Sequence, residues 1–248
     1  MKAILKKLVK PQKDSRKGEN GKLFIFAGSK KYHGAPAFCI LGARRFCDLV
    51  YFMPGDDSPG VLHSVRRIPE AIIVEGFQPA DAALYGPGLG SAPSSFDRLR
   101  INYPKMVVDG DGLGHLEKSD LKGLLITPHE GEFRRLFGKD GTRQNVARMA
   151  MEYGCTILKK GPVDIISDGK TTIESRGGNA GMTKGGTGDV LSGLAAALLT
   201  QNGPLVAACA ASRIAKEAGD ALFRANSFAF CASDLAEALP PAYKKIMR

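Results

Sequence analysis

Short, almost unbroken apolar runs ending on glycine or proline recur along this chain, separated by segments with helical spacing, and this alternation limits the fold more than any other feature. KLFIFAG (22–28), DLVYF (48–52), AIIVEG (71–76), AALYGPGLG (82–90), KMVVDGDG (105–112) and GLLITP (123–128) are strand candidates. APAFCILGARRF, FDRLRINY, GEFRRLF and TRQNVARMAMEYG suit helices; in the last, Val146, Met149, Ala150 and Tyr153 recur at helical spacing and Gly154 supplies the stop. Strands that are apolar at nearly every position must be covered on both faces, so the class is α/β with a mainly parallel sheet between helical layers. CTILKKG and VDIISDGKTTIES predict strands whose connections are too short for crossover helices, and this part is expected to be partly antiparallel. Two apolar helices, about 188–200 and 204–223, and a short helix in ASDLAEALPP complete the pattern.

The 248 residues suffice for one large core, and no linker-like stretch divides them, so a single domain over 1–248 is expected, with 1–20 as a basic lead-in. A 44% hydrophobic content excludes a disordered chain. No apolar run approaches the roughly 18 residues of a membrane span, and the start lacks the apolar stretch of a secretory signal; the expected location is cytoplasmic, with no membrane partner. Five widely spread cysteines, none in CxxC, predict buried reduced thiols without disulfides, and four scattered histidines give no zinc pattern. The formal charge of +10 would attract polyanions, but much of the excess lies near the two ends, as in solvated tails. No stacking cluster or helix-turn-helix accompanies it, so no nucleic-acid partner is expected.

GGNAGMTKGGTGDVLSG (177–193) runs glycines directly into an apolar helix. Unpaired main-chain N–H groups and the positive end of the helix dipole meet there with little side-chain bulk, which suits phosphate. Asp189 cannot be there to attract phosphate and is better placed to take a proton from an attacking hydroxyl. The plainer reading is a tight turn with a first-turn acid, and the spacing is neither a Walker motif nor GxGxxG.

In a parallel sheet the segments after each strand share one edge. GPGLG (86–90) there either lies flat against a ligand or simply turns. Asp109 and Asp111 either hold Mg²⁺ or water or belong to Asp-Gly turns, with the turn slightly favoured. In TPHEGE (127–132), His129, Glu130 and Glu132 enter a helix start, where acids suit the dipole and where Glu132 also suits a water-linked Mg²⁺. Lys159 and Lys160 precede Gly161 at a strand end, positioned either to neutralise donor phosphates or to face solvent.

DSRKGENGKLFIFAGSKKYHGAP, GPGLG, VVDGDGL, LITPHEGEFRRL, ILKKGPVDIISDG, GGNAGMTKGGTGDVLSG and ASDLAEALP resemble, in order and spacing, the ADP/ATP-dependent NAD(P)H-hydrate dehydratases of the ribokinase-like superfamily, over about residues 14–240. The resemblance implies a ribokinase-like three-layer α/β/α sandwich, and dehydration of (6S)-NAD(P)H hydrate (NADHX or NADPHX) with ADP or ATP as phosphoryl donor and Mg²⁺. It implies Asp189 as base on the substrate hydroxyl, with the N–H groups of Gly186, Thr187 and Gly188 on the transferred phosphoryl group. Ala35, Gly90 and His129 would contact the hydrated nucleotide, and Glu132 a magnesium-bound water. Lys160, Gly161, Pro162, Val163 and Asp164 would form one wall of the ADP or ATP site, and Asn179, Thr183, Lys184, Gly185, Gly186, Thr187 and Gly188 the other. A homo-oligomer, with a tetramer as one candidate, and a separate epimerase would complete the system. Two departures stand out: Lys184 replaces a small residue of many relatives, and ASRIAKEAGD replaces a His-Gly-containing helix. A hydroxymethylpyrimidine or hydroxyethylthiazole kinase shares the fold and the GTGD turn, but TPHEGEF and GPGLG favour the dehydratase.

Overall fold

A computed structural model describes residues 1–92 and 95–247, with nine strands in one sheet. In chain order they are β1 (Lys22–Ala27), β2 (Leu49–Pro54), β3 (Ala71–Ile73), β4 (Ala82–Tyr85), β5 (Met106–Val108), β6 (Leu125–Ile126), β7 (Thr156–Lys159), β8 (Asp164–Ser167) and β9 (Thr172–Ser175). Their spatial order is β3-β2-β1-β4-β5-β6-β7-β8-β9. Every pairing from β3 to β7 is parallel, and β7 to β9 form the expected antiparallel end.

The apolar strands build two cores, because successive side chains point to opposite faces. Leu23, Ile25 and Ala27 join one cluster, while Phe24 and Phe26 of the same strand join the other. The first cluster is closed by α2 (Ala35–Ala43), α3 (Pro59–Arg66), α7 (Thr187–Gln201), α8 (Pro204–Asn226) and α9 (Ala232–Ile246). The second is closed by α4 (Phe96–Asn102), α5 (Glu130–Phe137) and α6 (Arg143–Tyr153). This is the three-layer α/β/α sandwich.

Helix α7 is apolar almost all round because it lies between the sheet and other helices, buried from Val190 to Thr200. Its approach to α2 depends on two glycines: a Cβ on Gly193 would lie 2.0 Å from the carbonyl oxygen of Cys39, and one on Gly42 would lie 2.3 Å from that of Val190. This contact fixes where the start of α7 sits relative to the loop after β1.

Several expectations need correction. The GPGLG part of 82–90 is a turn beyond β4, and the run at 71–76 contributes only three strand residues. Helix α3 is an addition to the expected elements: Pro59 stands at its start, and Val61 and Val65 supply a buried face. The last helix does not stop at Pro241 but runs to Ile246. Each proline removes an N–H bond and crowds the carbonyl four residues earlier, and burial of Leu235, Leu239 and Ala242, with the Tyr243 ring edge-on to Phe46, holds the helix across the pair. The basic lead-in is not a free tail: it opens with α1 (Lys2–Leu5), Leu8 is buried, and Val9 N–H donates to Asn202 Oδ1 at 2.9 Å. Arg248 lies outside the described residues. No cysteine is in a disulfide, but Cys231 is exposed and Cys47 only half-buried. Among the described residues no helix is long and apolar enough to cross a membrane.

Candidate active site

The chain leaves β1 toward one helical layer and β4 toward the other, so their following loops part and leave a crevice at the carboxyl edge. Ala35 opens α2 at one side of it. On the other, GPGLG lies flat: a Cβ on Gly86 (φ +121°) would sit 2.1 Å from the carbonyl oxygen of Asp109, and one on Gly88 (φ +64°) would sit 2.6 Å from the Ala35 methyl. Ser29 Oγ donates to the Gly88 carbonyl at 2.8 Å, and Gly90 N–H to Asp111 Oδ2 at 2.8 Å. The segment is thus both a turn and a close backbone approach, and Ala35 and Gly90 border one crevice.

Gly186 caps α7 with φ +91°, a left-handed conformation that disfavours other residues, and a Cβ there would meet Phe38 at 2.6 Å. Gly185 and Gly188 differ: a Cβ on Gly185 meets nothing within 4 Å, and one on Gly188 meets only Lys160 Nζ at 3.7 Å. Among the described residues the N–H groups of Gly186, Gly188 and Asp189 have no acceptor, while that of Thr187 makes a long bond, 3.3 Å, to the Lys184 carbonyl. Open space, unpartnered amides and a helix of fifteen residues therefore coincide.

Asp189 stands in that first turn, and its carboxylate makes no hydrogen bond or ion pair among the described residues. Burial, reinforced by the charges of Asp109 and Asp111, pushes its pKa up to about 7 against the pull of Lys160. Such a carboxylate is a proton acceptor near neutral pH.

Lys160 points inward, its ammonium 2.6 Å from Asp109 Oδ1 and 3.9 Å from Glu132 Oε2. Burial alone would lower its pKa, but the carboxylates of Asp109, Glu132 and Asp189 hold it above the ordinary lysine value. Lys159 pairs instead with Glu130 at 3.1 Å. His129 is the N-cap of α5: its Nδ1 accepts from the N–H groups of Gly131 (3.0 Å) and Glu132 (3.2 Å), so the ring proton belongs on the exposed Nε2. Glu132 Oε2 accepts from His129 N–H at 2.7 Å, closing a reciprocal cap. Burial, with the Asp109 charge and against the Lys160 ammonium, raises the Glu132 pKa.

Along 179–188, side chains are largely committed to local carbonyls. Asn179 Nδ2 donates to Gly219 O, Thr183 Oγ1 to Ala180 O, and Thr187 Oγ1 to Met182 O and Lys184 O. The Lys184 ammonium turns to the carbonyls of Phe228 and Phe230, not into the crevice. Of these residues, then, main chain more than side chain is left without a partner. Along 160–164 Gly161 N–H donates to Asp164 Oδ1 at 2.9 Å, Asp164 is buried, and Pro162 is exposed beside Val163.

The turn reading of Asp109 is incomplete, because the residue is buried and paired with Lys160. Adjacent apolar Val107 and Val108 are the available sign that a strand buries this carboxylate. Lys216, buried against Asp164, is a residue that sequence reasoning missed, because Arg213, Glu217 and Asp220 around it make one more charge in α8 unremarkable.

A family model described as NAD(P)H-hydrate dehydratase matches residues 23–241. The ADP-dependent (S)-NAD(P)H-hydrate dehydratase of Cenarchaeum symbiosum is 39% identical, over 96% of this chain and 93% of its own. The bifunctional NAD(P)H-hydrate repair enzyme of Methanopyrus kandleri is 36% identical over 91% of this chain, which spans 50% of that longer protein. Among solved structures, the ADP/ATP-dependent NAD(P)H-hydrate dehydratase of Bacillus subtilis, crystallised with ATP and Mg²⁺, superposes with a TM-score of 0.84 at 21% identity, covering 99% of this chain and 97% of its own. The fold likeness thus extends far beyond the sequence likeness.

Proposed function

Because the chain belongs to the NAD(P)H-hydrate dehydratase family, we propose that it restores NADH and NADPH from their (6S)-hydrates with ADP as phosphoryl donor. The observation that supports the mechanism best is Asp189, a carboxylate without a partner beside unpartnered amides at the start of α7.

Hydroxide leaves a reduced nicotinamide ring poorly, and phosphate leaves well. Asp189 accepts the proton of the ring hydroxyl while that oxygen bonds to the terminal phosphorus of ADP and the bond to AMP breaks. The ring nitrogen lone pair then expels phosphate, and the iminium so formed loses a proton from C5, giving the dihydropyridine. The balance is hydrate plus ADP to NAD(P)H, AMP and inorganic phosphate. The N–H groups of Gly186 and Gly188 hold the phosphoryl group, joined by that of Thr187 as it gives up its long bond to Lys184, and Lys160 offsets the acids around it. Ala35, Gly90 and the outer nitrogen of His129 border the hydrated nucleotide; residues 160–164 and 179–188 wall the donor.

Among the described residues no three His, Cys, Asp or Glu side chains form a cluster able to cage a metal. Asp109 Oδ2 makes no hydrogen bond and Glu132 Oε1 only faces His129 Nε2 at 3.5 Å, so these carboxylates fit Mg²⁺ held through water. When bound, Mg²⁺ neutralises phosphate charge. We also assign the chain to one domain, a homo-oligomer and the cytoplasm.

Incubation of hydrated NADH with ADP tests this reading. The expected result is equimolar inorganic phosphate and recovered dihydronicotinamide absorbance. A stable phosphorylated product without recovered absorbance would instead indicate a small-molecule kinase.

A further inference from the structure

Lys216, within the 211–220 segment of α8, lies under one wall of the donor site and under the backbone that leads into the other. Its ammonium donates to the carbonyls of Gly161 (3.1 Å), Pro162 (3.2 Å) and Gly177 (3.1 Å) and lies 3.4 Å from Asp164 Oδ1. Three protons thus meet three main-chain carbonyls, and one carboxylate balances the charge. Asp164 is tied in turn, accepting Ser212 Oγ–H at 2.6 Å and Gly161 N–H at 2.9 Å. Lys216 and Asp164 are each only 5% exposed, so the arrangement is shielded from solvent. The carbonyls belong to two loops far apart in sequence. Gly161 and Pro162 begin the connection from β7 to β8, and Gly177 precedes the glycine-rich turn into α7. Gly177 (φ +109°) and Gly178 (φ +76°) are left-handed, and a Cβ on Gly178 would lie 3.3 Å from Lys216 Cγ, so this backbone lies directly on the lysine stem.

We propose that Lys216 is a positioning residue that holds the first wall of the ADP site and the backbone entering the second, at Gly177, at a fixed separation, acting as a resident cation between them. The inference rests on the donor site assigned above. A pocket whose walls are fixed before binding loses less entropy when ligand arrives, so the ammonium contributes to ADP affinity without touching ADP. Asp189 and the substrate crevice lie outside the cage.

Lys216→Met keeps the stem and removes the ammonium. Calorimetric titration with ADP is expected to show affinity weaker by roughly tenfold or more, with KM for ADP rising alike and KM for hydrated NADH changing by less than about twofold. Lys216→Ala with added propylammonium supplies a second readout: the amine should recover ADP affinity in that variant and have no effect on the unaltered protein. Unchanged ADP affinity in a folded Lys216→Met protein, or equal weakening of ADP and hydrated-NADH binding, would overturn the proposal. If Lys216→Met fails to fold, absence of propylammonium rescue in folded Lys216→Ala overturns it equally. Should the unaltered protein bind ADP yet not dehydrate hydrated NADH, the functional reading fails while the Lys216 titrations still decide this inference.

Discussion

At the scale of single residues, the account turns on where protons sit near neutral pH. Asp189 with a pKa of about 7 must be ionised to act as base, so kcat/KM should rise with pH through about 7 and fall tenfold per unit below it. Lys160 pulls that pKa down, so Lys160→Met should move the acid limb to higher pH; an unmoved limb would remove Lys160 from the electrostatic account. Stability has the opposite sign. The folded carboxyl binds its proton more tightly than the ordinary value of 3.8 allows, so between about 4 and 7 the folded state holds a proton that the unfolded state has released. Stability from this group therefore falls as pH rises through that window. Asp189→Asn should accordingly raise the melting temperature at pH 8 by roughly 2–4 °C, the scale of about 1 kcal/mol in a chain of this size. The acid at 189 was legible because a carboxylate in a phosphate cradle has no use for the anion itself. The role of Asp109 was not, since Asp-Gly after a strand serves equally as turn and as buried ion-pair partner until the lysine opposite it is seen.

At the scale of elements, the site depends on the crossing of α2 and α7. Gly193→Ala gains helix propensity but drives a methyl to 2.0 Å from the Cys39 carbonyl, and two packed backbones yield little. Loss of roughly 1–3 kcal/mol is expected in chemical denaturation. Gly114→Ala, where a Cβ meets nothing within 4 Å, should change stability by less than about 0.5 kcal/mol. Equal effects would contradict the close-contact argument. Most strands and the long helices were readable from apolar period and from Gly154, Pro204 and the glycines before Thr187. Helix α3 and the end of α9 were not, because Pro59, Pro240 and Pro241 signal interruption locally while burial of the faces around them decides the outcome.

At the scale of the whole molecule, +10 of formal charge faces substrates that are polyanions. Raising ionic strength from about 50 to 200 mM should lower kcat/KM for hydrated NADPH more than for hydrated NADH, since the extra phosphate is steered by the same field. Equal slopes would mean that the charge plays no part in capture. The parallel sheet with an antiparallel end was legible from connection lengths. The neighbouring of β1 and β4, which opens the crevice, was not, because periodicity tells which residues are strand and not which strands pair.

The central claim is that Asp189 accepts the hydroxyl proton at an intact donor site, and turnover of hydrated NADH by Asp189→Asn, measured with ADP affinity on the same protein, tests it most directly. The account predicts kcat lower by roughly 10² or more with ADP affinity within a few-fold of the unaltered protein. Turnover at the original rate would contradict it.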